Sequence, residues 1–179
     1  MRAPLRFAAP AGTPPKTSPM RTLRGLIVSL LIAGFVPAAG TAAETPEQMI
    51  AAAKALDAAF LKAFNAGDVE GVAATYWRSP EVVSMPPDTM VLRGWEAIRD
   101  GFQKSVEQLA GAKLELSDSH YSVNGELVLT WGLWRMTMPG PDGQSMTIEG
   151  RYSDVKAKRD GKWVYILDHA SAPLPPPPA

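Results

Sequence analysis

The chain contains no cysteine, which excludes disulfides, thiolate metal sites, a thiol nucleophile and a lipid-modified cysteine behind a leader. Histidine is almost as scarce. His120 and His169 are the two in the chain, far apart and without His/Asp spacing around them, so no metal site is expected. Acidic side chains are missing from the first 43 positions, where Arg2, Arg6, Lys16, Arg21 and Arg24 lie; every Asp and Glu falls at or beyond Glu44. The formal balance of 18 basic and 18 acidic residues therefore hides a remainder from Glu44 onward with 13 basic and 18 acidic groups. That remainder has no basic run to neutralise phosphates, so nucleic acid is not an expected partner. The apolar stretch Gly25 to Val36 is shorter than the roughly 20 residues that span a bilayer, and no stable membrane anchor is expected.

That stretch reads instead as an export signal. Arg21 and Arg24 give a positive start, GLIVSLLIAGFV the apolar centre, and Pro37 a break. Thr41-Ala42-Ala43 then places small residues before a cut at Glu44. Residues 1–19, rich in Pro, Ala and Arg without periodicity, read as an N-terminal extension, with Met20 as the start. Residues 20–43 form the signal, 44–172 one domain, and 173–179 an extended proline-rich tail. The mature product is expected to be periplasmic or secreted.

The domain opens with helices and closes with strands. Thr45 can cap a first helix, with Pro46 at its tolerated first position and Gln48 completing a capping box. Ile50, Ala53, Phe60, Leu61 and Phe64 share a face, and Asn65-Ala66-Gly67 ends the run. Asp68 can cap a second helix reaching Tyr76 and Trp77. A third spans Trp95 to Ala110, with Ile98, Phe102, Val106 and Leu109 on one stripe and Gly111 as its stop. Strands follow at Lys113–Val123, Glu126–Met138, Ser145–Lys158 and Trp163–His169, punctuated by Asn124-Gly125, Pro139 to Gly143 and Asp160-Gly161. Helices first and an antiparallel meander afterwards predict an α+β domain.

Several strings resemble a known superfamily. Thr45-Pro46-Glu47-Gln48-Met49 and Phe64-Asn65-Ala66-Gly67-Asp68-Val69-Glu70-Gly71-Val72 resemble the opening of bacterial ketosteroid isomerases. Pro86 with Arg93-Gly94-Trp95-Glu96-Ala97-Ile98-Arg99 is similar to a stretch of SnoaL-like polyketide cyclases. Gly150-Arg151-Tyr152, Arg159 to Trp163 and Asp168 to Pro173 resemble the closing strands of the nuclear transport factor 2-like superfamily, and also the association domain of calcium/calmodulin-dependent kinase II. The resemblance covers most of residues 45–173. It implies a cone of three helices on a curved antiparallel sheet, a pocket between them, and homodimerisation through the sheet. Fold alone does not give function. Ketosteroid isomerases need a carboxylate base, a tyrosine and a neutral carboxylic acid. By the resemblance, the tyrosine falls on Phe60 and the aspartate on Met85, so steroid isomerase activity is expected to be absent.

Asp57, Asp154 and His169 remain as candidate acid–base groups. Asp57 lies within the apolar face of the first helix, where a carboxylate is costly unless paired or protonated; it is expected to be buried and to have the most perturbed carboxyl of the domain. Asp154 is the acid nearest the resemblance's third catalytic position. His169 shares a strand face with Trp163, Tyr165, Leu167 and Ser171, opposite Val164, Ile166 and Asp168; it is either a general base or a structural histidine. Phe60, Trp77, Met85, Trp95, Trp131, Arg135 and Arg151 are the expected pocket residues, either arginine being able to bind a carboxylate ligand or the Asp57 carboxylate, or else to lie on an exposed sheet face or pair with Glu149 or Asp154. Trp131 and Trp134 have opposite parity, so at most one can face inward. No cofactor is expected. Two functions fit: a module binding a small apolar or amphipathic molecule and self-associating, or an isomerase, cyclase, dehydratase or hydrolase that uses a pocket Asp or His.

Overall fold

The computed structural model describes residues 43–140 and 143–173. The expected N-terminal extension, the expected export signal through Ala42, Pro141 and Asp142, and the expected tail beyond Pro173 lie outside the described residues.

Helix α1 (Pro46–Ala66) begins and ends where its sequence dictates. The Thr45 hydroxyl accepts from the Gln48 N–H at 3.3 Å, and the Gln48 side chain accepts from the Thr45 N–H at 2.9 Å. Two donors that the helix leaves unpaired are thus satisfied reciprocally. At the other end Gly67 takes a left-handed conformation, φ 70°, and its N–H returns to the last turn, a geometry that costs glycine nothing. Asp68 caps α2 (Val69–Ala73) by accepting from the Gly71 N–H at 2.9 Å. This helix is shorter than predicted. The backbone beyond it pairs with Tyr165, whose N–H donates to Thr75 O at 2.9 Å and whose carbonyl accepts from Trp77 N–H at 3.0 Å. Those groups cannot serve the sheet and a helix at once. Helix α3 covers Trp95–Gln108.

Two strands too short to carry a periodicity, β1 (Val83–Met85) and β2 (Leu92–Arg93), were not predicted. The four long ones are β3 (Lys113–Asn124), β4 (Leu127–Pro139), β5 (Ser145–Arg159) and β6 (Lys162–Ser171), close to the predicted spans. They form one six-stranded sheet in the order β2-β1-β6-β5-β4-β3. Pairing is antiparallel except between β1 and β6, which run parallel and set Ser84 beside Asp168. The expected antiparallel meander is present in β3 to β6, and the unpredicted β1 adds the one parallel pair.

Two bulges decide which side chains face the helices. In β3, Asp118 and Ser119 together oppose the single residue Gly132. A Cβ at Gly132 would come within 2.9 Å of the Ser117 and Asp118 carbonyl oxygens, so the bulge needs glycine there. In β6, Val155 pairs with Leu167 but Lys156 pairs with Tyr165, leaving Ile166 as the extra residue. Strict alternation puts Tyr165 and Asp168 on opposite faces; the bulge brings both to the same side.

The helices cover the inner face. Leu56 and Ala63 of α1, Val72 of α2 and Ile98 of α3 pack with Tyr76, Val82 and Tyr165. Phe60 sits among aromatic rings, its centroid 5.8 Å from Tyr165, 5.9 Å from Phe102 and 6.0 Å from Phe64. Trp134 is buried on this face while Trp131 stays 47 % exposed, as their opposite parity requires.

Candidate functional site

Three residues of β5 at strand spacing, Tyr152, Asp154 and Lys156, are all buried. A strand face made of a phenol, a carboxyl and an ammonium is expensive unless these groups satisfy one another. The Lys156 ammonium is completely enclosed. It lies 2.9 Å from an Asp57 oxygen and 2.9 Å from Asp154 Oδ1. It also donates to Thr130 Oγ1 at 2.8 Å. Asp57 collects further donors: Tyr121 Oη at 2.9 Å and Tyr165 Oη at 2.5 Å. Asp57 and Lys156 therefore form a buried, hydrogen-bonded salt bridge, and the triad Asp57–Lys156–Asp154 ties α1 to the sheet across 99 residues of chain.

Asp57 is buried, as its helical phase predicts, at 5 % exposure. Its partner is Lys156, not Arg135 or Arg151. Two carboxyls are pushed upward, those of Asp154 and Asp168. Loss of hydration raises Asp154 to about 7, the nearby Lys156 charge pulling it down and the Asp57 and Asp168 charges adding to the rise. The Lys156 ammonium lies 2.9 Å from Asp154 Oδ1, and that buried oxygen has no other polar partner. Asp168 is also raised by desolvation, opposed by its hydrogen bonds. It accepts from Tyr76 Oη at 2.8 Å and Ser84 Oγ at 3.0 Å. Burial and the adjacent carboxylates hold the Tyr76 and Tyr165 phenols well above their ordinary range.

Asp154 and Asp168 are direct partners across β5 and β6, and both line a cavity of about 350 Å³. Its walls are apolar: Phe60, Phe64, Phe102, Leu114, Trp134 and Met136 are among them. Tyr76, Tyr152 and Tyr165 join the two acids in its lining, and Pro86 and Pro87 contribute from the loop after β1. An apolar chamber with a few convergent polar groups and perturbed carboxyls is the arrangement that small-molecule sites share. A larger surface groove, about 830 Å³, is lined by Trp77 and Trp95 with Arg78, Arg99 and Arg159 and by the acids Glu70, Glu96 and Asp160. Its charges are balanced and it has none of the buried carboxyls.

Of the predicted site residues, Phe60 and Asp154 line the cavity. Asp57 does not line it, because Lys156, Tyr121 and Tyr165 surround its carboxylate. His169 is beyond the β6 bulge and therefore shares no face with Tyr165; its ring meets Ser153 Oγ at 3.3 Å. Trp77 and Trp95 belong to the surface groove, where the Arg159 and Arg78 guanidinium groups lie over their rings. Met85 is one residue past Ser84 on β1, so strand alternation turns it from the acids. Trp131, Arg135 and Arg151 lie on the outer face of the sheet. Trp131 stacks on His120, Arg135 pairs with Glu149 at 2.6 Å, and Arg151 donates to Ser171 Oγ at 3.1 Å. The arginines expected to meet a carboxylate ligand are thus outside. Sequence reasoning missed Lys156, Tyr76, Ser84 and Tyr165. The one available signal was the shared parity of Tyr152, Asp154 and Lys156, which an exposed face would produce equally well. No group of three or more His, Asp or Glu residues suited to hold a metal occurs among the described residues.

The architecture is that of the nuclear transport factor 2-like, or cystatin-like, fold: helices followed by a curved, unclosed, largely antiparallel sheet. Within that class the chain belongs to the SnoaL-like domain family, which it matches over residues 58–166. It is similar to a candidate calcium/calmodulin-dependent protein kinase II association domain from Xanthomonas campestris, at 25 % identity and TM-score 0.60, covering 75 % of this chain and 93 % of that one. It also resembles a nuclear transport factor 2-like protein from Salmonella enterica serovar Typhimurium, at 21 % identity and TM-score 0.66, over 73 % and 95 % of the two chains. A candidate dehydratase of the same fold from Streptomyces avermitilis matches at 20 % identity and TM-score 0.67, over 73 % and 100 %. No functionally curated protein matches the chain. No helix among the described residues is long and apolar enough to cross a membrane.

Proposed function

We propose that the mature domain binds a small, largely apolar molecule in the 350 Å³ cavity, its polar end against Asp154 and Asp168. The observation that carries this reading is the pairing of apolar walls with two carboxyls raised by desolvation on one floor. The chamber lies within the size range of about 300–1,000 Å³ common to small-molecule sites. Export accompanies binding in this proposal, supported by the order of charge, apolar run and small residues before Glu44. So does self-association through the outer sheet face. Leu129, Trp131 and Leu133 alternate there at 37, 47 and 49 % exposure, an apolar row of the kind that marks contact surfaces. The association-domain description of the Xanthomonas relative supports it.

One observation favours a second reading, that the bound molecule reacts. Asp154 titrates near 7, where a carboxyl both gives and takes a proton readily, and Asp168 stands beside it. Dehydration, isomerisation, cyclisation and hydrolysis each need such a group. Native mass spectrometry of protein purified from its own host tests the whole proposal. The expected result is a dimer whose chains begin near Glu44 and carry a releasable small molecule. A ligand-free monomer retaining residues before Ala43 would refute it.

A further inference from the structure

We infer that the molecule the cavity takes carries a hydrogen-bond-donating head, best a protonated amine, and that the cavity discriminates against carboxylates. The inference rests on the binding reading above and specifies its ligand.

The charged side chains among the cavity's lining residues are Asp88, Asp154 and Asp168; no Lys, Arg or His is among them. Of the lining side chains that own a polar hydrogen, Tyr76, Tyr165, Ser105 and Trp134 have committed it, while Tyr152 shares with Ser119 one bond in which either can donate. Tyr76 donates to Asp168 and Tyr165 to Asp57. Ser105 donates to the Gly101 carbonyl at 3.1 Å, and the Trp134 indole donates to the Arg151 carbonyl at 3.2 Å. The Tyr152 hydroxyl shares a hydrogen bond with Ser119 at 2.6 Å. Lys156, the one cation nearby, is fully enclosed and directed at Asp57, Thr130 and Asp154 Oδ1. What the floor leaves open is acceptor capacity. Asp154 is 5 % exposed; its Oδ1 is enclosed beside the Lys156 ammonium at 2.9 Å, and no side chain among the described residues donates to its Oδ2. The second carboxyl, Asp168, receives both of its hydrogen bonds on Oδ2.

Each head group then meets a different fate. At pH 8, above the Asp154 value of about 7, a carboxylate would bring a further negative charge beside two carboxyls in a desolvated site, with the Tyr152 hydroxyl as the one lining donor not already given to another acceptor. A hydroxyl can donate one bond to Asp154 or Asp168. An ammonium can donate to both, and its charge offsets a cluster in which three acids, Asp57, Asp154 and Asp168, face the single cation Lys156. A hydrogen bond to a charged group is the stronger kind. The apolar body is the same in all three cases, so the head decides.

Three probes sharing one ring system isolate that choice: 2-naphthylmethylamine, 2-naphthalenemethanol and 2-naphthoate, titrated calorimetrically into the mature protein at pH 8. The amine should bind about 10- to 100-fold more tightly than the naphthoate, the worth of a charge-assisted hydrogen bond, with the alcohol between them. Asp154→Asn should reduce the preference for amine over alcohol while the alcohol still binds. The wild-type ranking decides the matter without the variant. Naphthoate binding as tightly as the amine, or equal affinity for all three, would overturn the inference and leave the binding reading standing. No binding by any of them at millimolar concentration would overturn both.

Discussion

Stability should rise as the solution is acidified from neutrality, and Asp154 is the chief reason. Its carboxyl ionises near 3.8 in an unfolded chain and at about 7 in the native one. A group whose native pKa is raised stabilises the fold fully below the unfolded value and loses that contribution as pH climbs through the native value. The window therefore runs from about pH 4 to about pH 7. Three units of displacement correspond to about 4 kcal/mol at roughly 1.4 kcal/mol per unit, as an order of magnitude. Asp168, also raised, pushes the same way. Urea unfolding of the mature domain at half-unit steps from pH 4 to 8 measures the profile. Replacing Asp154 by Asn removes the titration while keeping a polar side chain against Lys156 and leaving the Asp57–Lys156 pair intact. The difference between the two profiles then belongs to Asp154, with Asp168 common to both. Wild-type stability that falls steadily on acidification, or an Asp154→Asn profile parallel to the wild type, would refute the assignment of Asp154 as a buried acid held near neutrality.

The triad should be more sensitive at its centre. Lys156→Met strands Asp57 and Asp154 without their cation and should cost about 3–5 kcal/mol at pH 8, much of it regained at pH 5 as the acids protonate; a loss independent of pH in chemical denaturation would contradict the pairing. Thr45→Ala removes half of the reciprocal cap and should cost about 1 kcal/mol, read as a lowered midpoint in thermal melts without change in pH slope. The wild-type protein should not isomerise a 3-oxo-Δ5-steroid, since Phe60 brings no hydroxyl into the cavity and Met85 is no base. Turnover above background that disappears on mutating a cavity residue would count against that expectation.

The sequence by itself determined what local chemistry controls. Thr45, Gln48 and Gly67 set both ends of the first helix because capping involves residues three or four apart. Asn124-Gly125 and Asp160-Gly161 placed two turns because few residues adopt their dihedral angles. The helical phase of Asp57 foretold its burial, and the opposite parity of Trp131 and Trp134 foretold that only one could turn inward. The tertiary structure decided what distant segments supply to one another. Asp57 meets Lys156 only because α1 crosses the sheet over β5, so a lysine that reads as a solvated strand residue becomes the enclosed cation. The parallel pairing of β1 with β6 brings Ser84 to Asp168, and a three-residue register at Val83–Met85 carries no pattern to announce it. The single extra residue Ile166 has the largest effect on the site. It inverts the alternation of β6 between Tyr165 and Asp168 and puts both on the cavity side, leaving His169 on the other. Such a bulge is fixed by pairing against Val155 and Lys156 on the neighbouring strand, a constraint that the alternation of β6 alone does not contain.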